Sequence, residues 1–139
     1  NCRPFMASAI AGIGNPGFPN LGLAINTYED WDGFYAHKEM IRIVAITLDT
    51  GRSPIITHVD TLPGIGFSSY STVQDHDVFE DLFDLDTTYN NFFHFTKVDT
   101  FARLIQGWFQ ARFILRTPPS DLHPDTVIFT HCYFEARTL

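Results

Sequence analysis

Asp49-Thr50-Gly51 is the tripeptide whose residue types come nearest to hydrolytic chemistry. It follows the apolar run Val44-Ala45-Ile46-Thr47-Leu48. In a symmetric pair of copies, two such carboxylates could share one proton and activate water. Arg52 stands next in the chain, and a guanidinium there would hold both carboxylates ionised and remove the shared proton. The same residues also make a hairpin turn with Gly51 at positive φ. The turn is the preferred reading, and Asp49 remains the one candidate catalytic residue of a small hydrolase.

Six histidines are the next group with chemical potential: His37, His58, His76, His94, His123 and His131. A zinc or iron site needs three or four ligands converging in space. The sequence supplies only pairs. His58 and Asp60 would share one strand face, and His76 and Asp77 are adjacent. These four are the candidate metal ligands, and hydrogen-bonded or solvated histidine is the simpler expectation. Asp84-Leu85-Asp86-Thr87-Thr88-Tyr89 has the look of a calcium loop, but Tyr89 stands where glycine is required and Phe95 where glutamate is. Gly12-Ile13-Gly14-Asn15-Pro16-Gly17 has dinucleotide-loop spacing without a preceding strand signal, and Pro16 interrupts it. No cofactor is expected. Cys2 and Cys132 lie near opposite ends of the chain. A disulfide between them would close a very large loop, but two unpaired thiols are the simpler reading.

The 139 residues make one domain, and 9 basic against 16 acidic residues give a net charge of −7. That sign argues against direct nucleic-acid binding through phosphates. No run of 18 or more apolar residues occurs to form a membrane-spanning helix. Disorder is excluded by a hydrophobic content of 45% with only 18% charged residues. The most unusual number is 14 phenylalanines, more apolar surface than one small sandwich readily encloses.

The elements that must position these groups are mostly strands. Residues 1–26 form an extended arm rich in glycine and proline, without sustained period, and 27–139 form the globular domain. Thr27 to Asp32 reads as a helix start, placing Trp31, Phe34 and Tyr35 on one face. Ile41–Leu48 and Pro54–Val59 form a β-hairpin around the Asp49 turn. Phe67–Val73 is a third strand. Asp77 and Glu80 make a capping box ahead of a short helix over 78–85. Asn91–Val98 is a strand. Residues 101–116 fit either helix or strand, the strand pattern being cleaner after Gly107, and 126–136 pairs with it as a hairpin. The fold expected is mainly β, a sandwich or barrel of about six short antiparallel strands with one to three short helices, the alternative being α+β.

The function expected from these features is that of a structural subunit in a homo- or hetero-oligomeric assembly, such as a virion-like shell, tube or filament. Its partners would be other protein subunits, most simply copies of itself. Ile10, Ile13, Phe18 and Leu21 of the arm, with Trp31, Phe34, Tyr35, Phe92 and Phe93, are the expected contacts. The alternatives are a small hydrolase or metal-dependent enzyme, and a ligand-binding β module that uses an aromatic platform.

Overall fold

A computed structural model describes residues 6–10, 21–31, 34–45, 49–58, 68–74, 78–99, 101–116 and 124–137. Among them are nine strands and no helix: β1 Met6–Ile10, β2 Leu21–Trp31, β3 Phe34–Ala45, β4 Gly51–Ile56, β5 Ser69–Gln74, β6 Val78–Leu85, β7 Phe92–Asp99, β8 Leu104–Leu115 and β9 Thr126–Arg137. All pairings are antiparallel.

Two long strands organise the sheet. β3 pairs with β2 along one edge, while its other edge is shared between β5, over Glu39–Arg42, and β4, over Val44 and Ala45. β8 repeats the arrangement. Its outer edge takes β9, and its inner edge is shared between β7, over Leu104–Gln110, and β6, over Phe113–Leu115. Since β4 pairs with β7 and β5 with β6, the pairings run β3-β4-β7-β8-β6-β5 and return to β3. Six strands thus form a closed cycle of pairings, in which β3 and β8 each give one edge to both of their neighbours and the other edge to β2 and β9.

A side chain fills the ladder at each shared edge. At the β3 edge, Ser68 Oγ accepts from Val44 N at 3.0 Å and donates to Ile56 O at 2.6 Å. At the β8 edge, Asn91 Oδ1 accepts from Arg112 N at 2.9 Å, and its Nδ2 donates to Asp86 O at 2.7 Å. The backbone groups stranded between two neighbours are satisfied in this way, as buried polar groups must be.

The enclosed space is filled largely by aromatic rings. Phe83, Phe93, Phe95, Phe109 and Phe113 are among the largest fully buried side chains, with Leu23, Ile43 and Val44. Phe93 stacks on Phe95 at 5.2 Å and meets Phe134 edge-on at 5.6 Å. Gly107 sits between Phe95 and Phe134 in the register of β7, β8 and β9, and those two rings meet at right angles. A Cβ on Gly107 would lie 2.4 Å from the His94 carbonyl oxygen, so the close approach of β7 and β8 requires glycine here.

Two expected helices are strands. Over 81–85 the inward residues are Asp81, Phe83 and Leu85, a period of two. The same short stretch also satisfies a helical period, and pairing with β5 and β8 decides the outcome. Residues 27–31 belong to β2, whose ladder with β3 ends at Trp31 opposite Phe34. The intervening sequence is Asp32-Gly33, the dipeptide favoured in two-residue hairpin connections. The arm is corrected in the same way: Met6–Ile10 pairs with 22–26, so regular structure forms there because β2 offers a partner edge. The strand β2 also runs across position 26/27, where the arm was expected to end. The β3–β4 hairpin, β5, β7 and the β8–β9 hairpin follow the expected pattern.

Candidate functional site

Asp49 is exposed in the turn before β4, and Gly51 has φ of 108°, the left-handed region that glycine accepts. Arg52 turns away from it, donating to Asn90 Oδ1 at 2.6 Å and lying 3.8 Å above the Phe92 ring. His58 is exposed just past β4, while Asp60, His76 and Asp77 lie outside the described residues. Among the described residues no three histidine, cysteine, aspartate or glutamate side chains converge as metal ligands. Cys132 is buried in β9 with Sγ 3.8 Å from Thr130 O, and Cys2 lies outside the described residues.

Of the expected contact residues, Ile10, Leu21, Trp31, Phe34 and Tyr35 lie in β1, β2 and β3, with their backbones paired inside the sheet. Ile13 and Phe18 lie outside the described residues. Phe93 is completely enclosed in the core of this chain, and Phe92 is buried under Arg52 and beside Trp108.

The structure instead assembles a face from residues that are far apart in sequence. On the outer side of β4, β7, β8 and β9, the register places Arg52, His94, Trp108 and Tyr133 in one transverse row, one residue per strand. Trp108 is the hub. His94 stacks on it from β7 at 5.3 Å, His131 from β9 at 4.2 Å with planes 10° apart, and Phe92 meets it edge-on at 5.2 Å.

A bulge makes the closest of these contacts. In β9 the inward positions are Val127 and Phe129 before it, then Cys132, Phe134 and Ala136 after it. The phase shifts by one residue at Thr130–His131, where the register with β8 also shifts. His131 has φ of 49°, a left-handed conformation uncommon outside glycine. Bulges commonly re-aim a side chain in this way. Here the bulge lays an imidazole flat against the indole.

Beside the stack is an open groove of about 260 Å³, lined by Thr96, Gln106, Gly107, Tyr133, Phe134 and Glu135. Tyr133 is 77% exposed and forms an aromatic wall. Gln106 Nε2 donates to Glu135 Oε2 at 2.6 Å, which presents an amide and a carboxylate side by side. On the far side of the stack, Gln110 Nε2 donates to Asn90 O at 3.2 Å, and the Arg112 guanidinium lies 4.7 Å above Tyr89.

The loop carrying Tyr89 and Asn90 is tied down by Asp86. This nearly buried carboxylate accepts from Thr88 N at 2.9 Å, from Thr88 Oγ at 2.6 Å and from the Arg112 guanidinium. The Thr88 hydroxyl above all, then its amide and Arg112, hold the Asp86 carboxyl below the usual carboxylate range against the opposing effect of burial.

Sequence reasoning did not single out Trp108 and His131. The available signal was a tryptophan flanked by Gln106, Gln110 and Arg112 on the outward face of β8. The phase shift between Phe129 and Cys132 was the second signal. Comparison with protein-family models, curated proteins and solved structures gives no match.

Proposed function

We propose that this chain is a ligand-binding β module, and that the outer face of β7, β8 and β9 takes a carbohydrate. The observation that carries this reading is the Trp108–His131 stack at a left-handed bulge, next to the exposed ring of Tyr133. Backbone strain held at a surface position is a device that binding sites use. A sugar ring offers an apolar face of C–H groups and an equatorial rim of hydroxyls. Tyr133 supplies a surface for the face, while Gln106, Glu135 and Thr96 supply acceptors and donors for the rim. An immobilised panel of oligosaccharides tests it: the wild type retains at least one glycan that Tyr133→Ala does not. Equal retention by both proteins, or by neither, counts against the platform.

The assembly reading has weaker support. Seven of the 14 phenylalanines are buried in the chain's own core among the described residues, so those seven do not call for a neighbour. What favours assembly is the exposure of Ile114 and Ile128, at 44% and 52%, diagonal neighbours on the outer face of β8 and β9. Sedimentation of wild type and Ile114→Ser/Ile128→Ser at low and high concentration tests it: a larger species in the wild type alone supports assembly through this patch.

A further inference from the structure

The groove around Tyr133 is one end of the transverse row, and Arg52 is the other. We infer that the face takes an acidic oligosaccharide, with a sugar carboxylate bound by Arg52. This rests on the platform reading above and adds the ligand's charge and direction to it.

Arg52 is exposed, and its partners are neutral: the Asn90 amide oxygen and the Phe92 ring. Among the described residues it makes no ion pair, and the exposed Asp49 three positions earlier is not bonded to it. The other two guanidiniums that bracket this side of the molecule differ. Arg112 is paired with Asp86 and Arg116 with Asp84. A guanidinium is a planar fork matched to a carboxylate, and here one amide and one ring hold the fork in place while donors remain free. Lys97, Arg103 and Arg137 are also exposed without an ion pair among the described residues, but of these unpaired cations only Arg52 is held in place by an amide and a ring. Glu135, two residues beyond Tyr133 on β9, places a carboxylate beside the groove at the other end.

The dimensions agree. β4 to β9 is three strand intervals, about 14 Å at the usual strand spacing and roughly the reach of three sugar rings. The ligand would therefore lie across the strands, with a neutral ring against Tyr133 and a uronate at Arg52.

Calorimetric titration with galacturonate and mannuronate trimers, and with the neutral galactose and mannose trimers, tests this. At least one acidic trimer should bind about tenfold more tightly than its neutral counterpart at low salt. That preference should shrink as salt rises, vanish in Arg52→Gln, and survive in Arg116→Gln, which removes a cation outside the row. Circular dichroism confirms that each variant is folded. Equal affinity for acidic and neutral trimers, or a preference that persists in Arg52→Gln, overturns the inference and leaves the platform standing. If none of the trimers binds and the glycan panel also shows no difference between wild type and Tyr133→Ala, both fall.

Discussion

The imidazole of His131 lies flat on the indole of Trp108, with ring centroids 4.2 Å apart. The two residues are on neighbouring strands but are not register partners, because Trp108 pairs with Tyr133. The bulge brings them together, and a left-handed residue that is not glycine carries a conformational cost on the order of 1–2 kcal/mol. His131→Gly should therefore leave stability nearly unchanged, since relief of the backbone offsets loss of the stack. His131→Val, β-branched and unable to adopt this φ without strain, should cost about 2 kcal/mol or more. Urea unfolding of the two variants checks the order. Equal destabilisation by both would mean that the stack, and not the backbone, governs this position.

Gly107 and Gly51 are required for different reasons, and substitution separates them. Gly107→Ala drives a methyl group into the His94 carbonyl oxygen, a backbone atom that cannot move without parting β7 from β8. The expected loss is more than about 2 kcal/mol, with disturbance of the Trp108 environment visible in its fluorescence. At Gly51 an added Cβ meets nothing within 4 Å, so only the positive φ resists. Gly51→Ala should cost about 1 kcal/mol.

Asp86 should make the protein acid-sensitive at one identifiable place. Its carboxyl is held below the ordinary range, mainly by the Thr88 hydroxyl, then by the Thr88 amide and Arg112. A carboxylate with a lowered folded value contributes stability that is complete above the unfolded value and is lost as pH falls through the folded one. The urea midpoint of the wild type should decline as pH drops below about 4, the unfolded aspartate range. Asp86→Asn should be less stable at neutral pH and show a shallower decline.

At the alkaline end, Tyr70 is the group to follow. Its hydroxyl donates to Glu39 Oε1 at 3.0 Å, and burial first, then the charge of Glu39, push its ionisation well above the ordinary phenol range. A raised folded value contributes stability that is complete below the unfolded value, about 10, and is lost as pH rises through the folded one. Absorbance titration should show a phenol that ionises only as the protein unfolds. Tyr70→Phe should remove that late component.

How far the fold could be read from sequence depended on whether one period was dominant. In β8 the inward set Ile105, Gly107, Phe109, Ala111 and Phe113 alternates without interruption, and from Gly107 onward the strand pattern was legible. In β6, Val78, Phe79, Leu82 and Phe83 fit a helix as well as a strand, and an Asp77/Glu80 capping box tipped the choice the wrong way. Long-range pairing with Tyr70 and Leu115 resolved it, and no local window contains that information. The Asp49 turn was legible because Gly51 announces its own conformation. The aromatic face was not, because Arg52, Phe92, Trp108 and His131 meet only through the order of four strands. The phenylalanines showed the opposite failing: their number was plain, but that Phe83, Phe93, Phe95, Phe109, Phe113 and Phe134 face one core depended on the pairing of strands distant in sequence.

On the proposed function, sugar binds at the face around Trp108 and Tyr133. The most direct measurement is an amide NMR titration with whichever oligosaccharide the wild type retains from the panel. The shifts should concentrate at Gln106, Trp108, His131, Tyr133 and Glu135, with the largest indole N–H change at Trp108. Shifts centred on Ile114 and Ile128, on the Asp49 turn, or on any surface away from β7–β9 would contradict the account.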